Sequence, residues 1–316
     1  MTGPDALDGA PTGVILGFDA GWDDPRPLRV AADEAHLRQL PLFIVSVARP
    51  DREHGPGNPL RVPGGWNAVG PAWSEAETRR SLRAAGRAAR SRHPDLPVTT
   101  AHLDLDDLGE LGDLGVRGGR PSPRASLLVL GGADRFGGPL HENDSTGSLL
   151  RRAVVAPVLV VPTGRLETRP RQAPREGETN LWEPILAAVP GGDRGVEVIR
   201  SAEEERQRRG RALHLLHAFD LVPGESRSHA MRRAADHMMS LIEQAGLGAG
   251  APWSVTLARQ PAAVAIRERA AQAGLVVLGN ASGIANGLVT DLLERLMCPV
   301  LLLPSVDVEP SCRHPR

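Results

Sequence analysis

A single pattern runs through this chain twice, and this repeat constrains the fold more than any other sequence feature. Asp19 and Pro41 in the first half align with Pro190 and Ala212 in the second half, and both pairs are separated by the same offset, which we term the long offset. The long offset has the size of a whole domain, and a chain of 316 residues is long enough for two domains. The sequence therefore predicts two copies of one module.

The offset between the halves shortens along the chain, and each change falls in a loop. It is shorter between Gly131 and Gly279, which matches the loss of a Gly- and Pro-rich loop over residues 51–73. It is shorter again between Pro157 and Pro299. Loops tolerate such deletions better than the elements they connect, so both copies are expected to keep the same core.

Short apolar runs alternate with helical patterns in each half. The runs cover residues 14–18, 42–47, 98–103, 126–130 and 157–161, then 185–189, 212–218, 254–258, 275–278 and 300–303. Strands that are apolar on both faces and separated by helices are typical of a parallel sheet covered on both sides. The predicted fold class is α/β, with two tandem five-stranded parallel sheets.

The segments between the strands carry helix signals. Ser74 with Glu77 three residues later predicts a capping box, which begins a helix that runs to about residue 93. A weak helix is expected over residues 105–124 and another helix over residues 261–273. The helix over residues 226–245 is expected to have one apolar face, formed by Met231, Ala234, Met238, Leu241, Ile242 and Ala245. The three glutamates at 203–205 are expected on a solvated helix face, paired with nearby arginines.

The same pattern predicts the boundaries of the modules. Residues 13–163 form the first module and residues 184–305 the second, with a polar, Arg- and Pro-rich linker over residues 164–183. A disordered N-terminus over residues 1–12 and a tail over residues 306–316 complete the organisation.

Composition excludes several classes of protein. All 37 basic residues are arginine, so lysine-dependent phosphate and Schiff-base chemistry is absent. The formal net charge of −1 disfavours a dedicated nucleic-acid binder, and the two cysteines cannot build a disulfide framework. The longest apolar run, residues 153–162, is far short of the roughly 20 residues that span a bilayer. We expect a cytoplasmic protein that binds neither membrane nor nucleic acid.

Short motifs stand in a characteristic order in both halves. In the first half they are GFDAG (17–21), AADEA (31–35), LLVLG (127–131) and PVLVVP (157–162). In the second half they are AEEERQRRG (202–210), LLHA (215–218), VVLG (276–279) and CPVLLLP (298–304). In order and spacing these motifs resemble the universal stress protein family in its tandem form. The resemblance implies a Rossmann-like fold of the adenine nucleotide alpha hydrolase-like type, and a non-catalytic role in the stress response.

Some members of that family bind ATP, and the resemblance implies where this would occur. An acidic residue after the first strand lies near the adenine, and Asp19 matches it. A loop of pattern Gly-x2-Gly-x9-Gly-Ser/Thr after the fourth strand wraps the phosphates, since glycines let backbone N–H groups approach an anion. The resemblance thus assigns an adenine-nucleotide site to the first module.

Two registers of the phosphate loop fit this chain, and the residues do not choose between them. Without gaps, the loop positions are taken by Gly131, Asp134, Asp144 and Ser145. A shifted register uses Asp134, Gly137, Gly147 and Ser148 instead. A carboxylate about 4 Å from a phosphate charge reduces the binding free energy by about 4 kcal/mol, at an effective dielectric constant of about 20. A ligand with micromolar affinity binds with a free energy of only about 8 kcal/mol. The two acidic residues therefore predict weak ATP binding that depends on Mg²⁺ or on nearby arginines.

The second module departs further from the family pattern. Pro190 stands where the acid would be and offers no side-chain acceptor, and the loop over residues 279–287 is too short to wrap phosphates as the family does. We therefore expect no nucleotide in the second module, which would serve as a structural partner.

No catalytic constellation stands out in the sequence. A nucleophile elbow is missing, because Ser282 lies in a Gly-x2-Ser-Gly pattern, and the protein is predicted not to be an enzyme. The alternative to a nucleotide sensor is a nucleotide-free interaction scaffold of the same fold. Family members often pair through the fifth strand, which implies a homodimer or an internal pseudo-dimer built on residues 157–162 and 299–304.

Overall fold

The structure is a computed structural model that describes most of both halves. It covers residues 12–18, 24–47, 74–103, 125–131, 156–163, 183–248, 250, 252–279 and 287–304. Internal contacts divide the chain into two units, residues 1–126 and 127–316, and this division falls inside the fourth strand. The module boundaries expected at residues 163 and 184 lie at the edges of described ranges and stay predictions.

The first unit is built from parallel strands and two long helices. Its elements are β1 (Gly13–Gly17), α1 (Arg26–Arg38), β2 (Leu42–Val47), α2 (Glu75–Arg92), β3 (Val98–Leu103) and the start of β4 (Ala125–Gly131). The strand order β3-β2-β1 is parallel throughout, with Val14 opposite Leu42 and Leu42 opposite Val98. Helix α1 packs on β1, and α2 packs on β3 and β2.

The second unit contains the remaining strands. Its elements are β5 (Val158–Val161), β6 (Ile185–Ala188), α3 (Asp193–Arg209), β7 (Leu213–Ala218), α4 (Arg227–Ala245), β8 (Trp253–Ala258), α5 (Ala262–Ala270), β9 (Leu275–Gly279), α6 (Gly287–Arg295) and β10 (Val300–Leu303). The strands follow the order β4-β5-β10-β9-β6-β7-β8. Every neighbouring pair is parallel except β5 and β10, which run antiparallel with Leu159 opposite Leu301.

The structure confirms the α/β class and all ten predicted strands, with ends that differ by at most one residue. The capping box that begins α2 is also confirmed: the Ser74 N–H donates to Glu77 Oε2 at 2.9 Å, and the Glu77 N–H donates to Ser74 Oγ at 3.3 Å. Hydrogen bonds from the Ser74 side chain and backbone lower the pKa of Glu77. The helix expected over residues 261–273 is shorter and ends at Ala270. The weak helix expected over residues 105–124 lies outside the described residues.

Equivalent backbone hydrogen bonds confirm the repeat and its offsets. At the long offset, the pairs are Val14 N–H to Pro41 O (2.9 Å) with Ile185 N–H to Ala212 O (2.9 Å), and Phe18 N–H to Val45 O (2.7 Å) with Val189 N–H to Leu216 O (2.8 Å). At the two shorter offsets, the Leu128 N–H to Pro157 O bond (3.0 Å) matches Val276 N–H to Pro299 O (3.0 Å). The two copies therefore share backbone contacts as well as a hydropathy pattern.

A buried glutamate repeats at the long offset. Glu34 in α1 and Glu205 in α3 are each 3% exposed. Arg38 Nε donates to Glu34 at 3.2 Å, and its equivalent Arg209 donates to Glu205 at 2.8 Å, one helical turn along in both cases. The expectation that residues 203–205 form a solvated acidic face is thus wrong for Glu205, because this position faces the sheet side of α3.

The buried face of α4 agrees with the predicted face at Ala234, Met238, Leu241 and Ile242 but not at Met231. The pattern places Met231 there, but Met231 is 36% exposed, while Ala230 is fully buried. Ala230, Ala234 and Met238 are spaced by one turn each and form one stripe, which Met231 does not join because it lies about 100° further round the helix.

Candidate functional site

Open parallel sheets bind ligands at the carboxyl ends of their strands, so this edge of each half is the candidate site. Of the eight predicted site residues, only Gly131 lies within the described residues. The other seven are Asp19, Asp134, Gly137, Asp144, Ser145, Gly147 and Ser148, and they lie outside them. Gly131 is buried at the end of β4, opposite Val161 of β5. The described part of β4 thus reaches the first position of the predicted phosphate loop.

The carboxyl end of β1 is fixed by its neighbour β2. The Phe18 N–H donates to the Val45 carbonyl at 2.7 Å, which extends the parallel pairing by one residue past β1. Asp19 is the next residue along the chain, so the predicted adenine-side acid follows directly from an ordered strand end.

An arginine occupies the same edge in the second half. Arg194, in the first turn of α3, donates from Nη1 to the Pro304 carbonyl at 2.8 Å, just past the end of β10. Nη1 also lies 3.3 Å from the Glu197 carboxylate, and the side chain is only 15% exposed. A Cβ placed on Gly279 would lie 3.3 Å from Arg194 Cγ, so the aliphatic part of the side chain covers the end of β9.

Arg194 thus lies beside the end of β9, where the loop over residues 279–287 begins. Its guanidinium donates to a backbone carbonyl and a carboxylate, and Pro190 adds no side-chain acceptor at the end of β6. Sequence reasoning identified Pro190 but missed Arg194. The signal was present in the repeat, since the long offset places Asp23 opposite Arg194, a reversal of charge.

Two histidines lie near the start of α3. His217 Nδ1 lies 2.9 Å from the Val189 carbonyl, which can only accept, so this nitrogen carries the proton. The His237 ring, on α4, is centred 5.6 Å from the His217 ring. Its Nε2 would be 3.6 Å from a Cβ on Gly191. Within the described residues, no group of three His, Cys, Asp or Glu side chains could hold a metal ion, and this pair has no third ligand there.

The loop between β7 and α4 is held at this edge by an ion pair. Arg233 donates from Nε and Nη2 to the Glu225 carboxylate at 3.0 Å, and Nη2 also donates to the Asp220 carbonyl at 3.1 Å. The Arg233 guanidinium lowers the pKa of Glu225 to about 2. The corresponding loop of the first half includes residues 51–73, which lie outside the described residues.

The strand order defines the class of fold. In the second half the five strands run β8-β7-β6-β9-β10, all parallel, which is the order 3-2-1-4-5 of Rossmann-like nucleotide-binding sheets. Ligands in this class bind where the order reverses, between the first and fourth strands. That position corresponds to β6 and β9 here, where Arg194 lies.

Comparison with solved structures identifies the fold more closely. A protein of unknown function from Pseudomonas aeruginosa PAO1 matches with a TM-score of 0.58 and 16% identity, over 92% of each chain. A protein described as a putative universal stress protein from P. aeruginosa UCBPP-PA14 matches with a TM-score of 0.56 and 16% identity, over 94% of each chain. A universal stress protein from Archaeoglobus fulgidus matches with a TM-score of 0.53 and 11% identity, over 92% of this chain and 97% of that one.

These matches span both halves, so the chain has the tandem universal stress protein fold. No family model matches the sequence. No curated protein matches it either. Among the described residues, no helix is both long enough and apolar enough to cross a membrane.

Proposed function

We propose that this protein is a non-catalytic stress-response protein that binds one adenine nucleotide in its first half. The second half is a nucleotide-free structural partner. The fold supports this proposal, because folds of this class bind nucleotides at the carboxyl ends of their parallel strands. The sequence supplies the site, through Asp19 and the glycines after β4.

The contrast between the two carboxyl edges carries this proposal. In the second half, Arg194 covers Gly279 and binds the Pro304 carbonyl, and Pro190 replaces the acid. The residues of that edge do not fit a nucleotide. In the first half, Asp19 stands at the acidic position of the family pattern, and Asp23 stands where the second half has Arg194. The first half therefore cannot form the hydrogen bond that Arg194 donates to the Pro304 carbonyl. Asp134 and Asp144 make Mg²⁺ the natural counter-ion for the triphosphate.

Equilibrium dialysis of the full chain with labelled ATP and Mg²⁺ at near-physiological salt tests the proposal. We expect one saturable site per chain, loss of binding when Mg²⁺ is removed, and no release of phosphate over hours. Asp19→Asn should weaken binding at least tenfold. Asp193→Asn, an equally charge-reducing change at the exposed start of α3, should leave it unchanged.

Two results would overturn the assignment. Binding of two nucleotides per chain would show that Arg194 does not exclude a nucleotide from the second half. The absence of saturable binding below millimolar ATP would leave the alternative, a nucleotide-free interaction scaffold. For that alternative, the exposed apolar side chains of Val222, Met239 and Met297 in the second half are the first contacts to test. In that case ATP would not shift the melting temperature.

A further inference from the structure

Helix α2 carries an unusual concentration of positive charge. It contains six arginines against two glutamates, and both glutamates lie in the first turn. Five of the arginines form what we term the arginine face of α2: Arg79, Arg80, Arg83, Arg87 and Arg90. Successive residues of an α-helix are rotated by about 100°, so these five side chains fall within an arc of about 100° over a length of about 16 Å.

The arginine face points away from the core. Its five members are exposed, and the opposite face of α2 is buried against the sheet through Thr78, Leu82, Ala85, Gly86 and Ala89. The buried face of α2 packs closely against β3, since a Cβ on Gly86 would lie only 3.1 Å from Thr100 Cγ2. The helix is therefore held in one orientation, and the arginines stay on the outside.

Three members of the face form no direct pair, although Arg80 lies close enough to Glu77 to help lower the pKa of that carboxyl. Arg79 is paired with Glu75, and Arg90 Nη2 donates to the Val98 carbonyl at 2.6 Å. Arg80, Arg83 and Arg87 make neither a hydrogen bond nor an ion pair with any residue that the structure describes. Helix α3 is different, because each arginine of its last turn pairs with a glutamate on the same helix.

Unpaired like charges on one helix face are unfavourable. Arginines three or four residues apart on one helix face repel each other and destabilise the helix. The positive end of the helix dipole lies at the N-terminal end of the same face and adds to its potential. A bound polyanion would relieve this repulsion.

We propose that the arginine face of α2 binds the phosphodiester backbone of double-stranded nucleic acid without reading its sequence. A row of guanidinium groups about 6 Å apart along the helix axis suits a repeating row of phosphates. The face offers no apolar side chain larger than alanine, so it cannot insert into a lipid surface. It also lacks an aromatic residue on which unpaired bases would stack, which favours a duplex over a single strand.

The net charge of −1, which led us to expect no nucleic-acid binding, describes the whole chain and not this one helix face. Association with a polyanion depends on local potential, and α2 concentrates the positive charge on one surface. The arginine face consists of α2 side chains alone and includes none of the predicted nucleotide-site residues, so the proposal does not rest on nucleotide binding.

Fluorescence anisotropy with a labelled duplex of about 20 base pairs and arbitrary sequence tests the proposal. The full chain is titrated at several salt concentrations, without ATP. Each phosphate neutralised contributes a slope of about −0.9 in a plot of log K against log salt. With three to four contacts, we expect a slope of about −3 to −4, and equal affinity for unrelated sequences.

Matched variants assign the binding to α2. The triple change Arg80→Gln, Arg83→Gln and Arg87→Gln should reduce the slope by about 3. The control triple change Arg227→Gln, Arg232→Gln and Arg259→Gln removes the same charge from exposed positions elsewhere and should leave the slope unchanged. Replacing the three α2 arginines with lysine keeps the charge and should preserve binding, even if the glutamine variant folds poorly.

Three outcomes would overturn the proposal. The first is no saturable binding of the duplex at low salt, where the electrostatic contribution is largest. The second is an equal loss of binding in the control variant, which would indicate a diffuse charge effect. The third is equally tight binding to polyglutamate or to vesicles of anionic phospholipid, which would make the face a general anion-binding surface or a membrane contact.

Discussion

The two halves of this protein share their scaffold and differ at their functional edge. Backbone hydrogen bonds between strand ends recur at fixed offsets, and so does the buried glutamate of the first helix. At the carboxyl edge the halves diverge, with Asp19 and Asp23 in one and Pro190 and Arg194 in the other. The comparison teaches that the two copies keep the same backbone contacts and the same buried ion pair while the residues at the carboxyl edge differ in charge.

The shared scaffold can be tested most strongly at the repeated ion pair. Glu34→Ala and Glu205→Ala each remove a buried carboxylate that pairs with one or more arginines. We expect each change to lower the free energy of unfolding by about 3 kcal/mol, measured by urea denaturation at pH 7. Glu204→Ala, on the exposed face of α3, is the control and should have almost no effect. A loss below about 1 kcal/mol at either buried site, the range of an exposed ion pair, would show that the repeat is not equivalent in energy.

A second test concerns the edge where the halves differ. Arg194→Met keeps the aliphatic cover over Gly279 and removes the hydrogen bond to the Pro304 carbonyl. We expect a loss of about 1.5 kcal/mol, because a charged donor is removed from a mostly buried acceptor. The stoichiometry of ATP binding should remain one per chain, since Pro190 still supplies no acid. Binding of a second nucleotide by this variant would identify Arg194 as the only barrier.

The smallest expected difference lies at the end of the first helix in each half. Gly210 ends α3 with φ 62°, and its equivalent Gln39 ends α1 with φ 56°. Only glycine adopts this left-handed conformation without steric cost. Gly210→Gln should lower the free energy of unfolding by about 1 kcal/mol. Gln39→Gly should raise it by less, because glycine also increases the entropy of the unfolded chain.

Urea denaturation of both cap variants beside the unchanged protein provides the measurement. The two effects should have opposite signs. Stabilisation by Gly210→Gln would show that the caps are not equivalent despite their similar backbone angles.

Much of the fold could be predicted from the sequence, because its signals are local or periodic. The apolar runs give the ten strands, Ser74 and Glu77 give the start of α2, and the offsets of the repeat give equivalent residues. Buried parallel strands need continuous apolar runs, and a capping box needs two residues at fixed spacing, so both leave a direct trace in the sequence.

Less of the candidate site could be predicted from the sequence. Pro190 could be interpreted from the repeat, since a proline has no side-chain acceptor. The role of Arg194 could not, because it depends on the carbonyl of Pro304, which is distant in the chain and lies just past the end of β10. Glu205 was misplaced for a similar reason: a run of three glutamates does not show which member faces the core.

By itself, the sequence determined the α/β class, the duplication and the absence of lysine chemistry, since these follow from composition and period. Only the tertiary structure showed that the fifth strands β5 and β10 pair antiparallel. It also showed that Arg194 hydrogen-bonds to the Pro304 carbonyl at the carboxyl edge of the second half. It also decided which α2 arginines have no partner among the described residues. The physical reason is that pairing and satisfaction of polar groups depend on residues far apart in the chain, whose meeting no local pattern encodes.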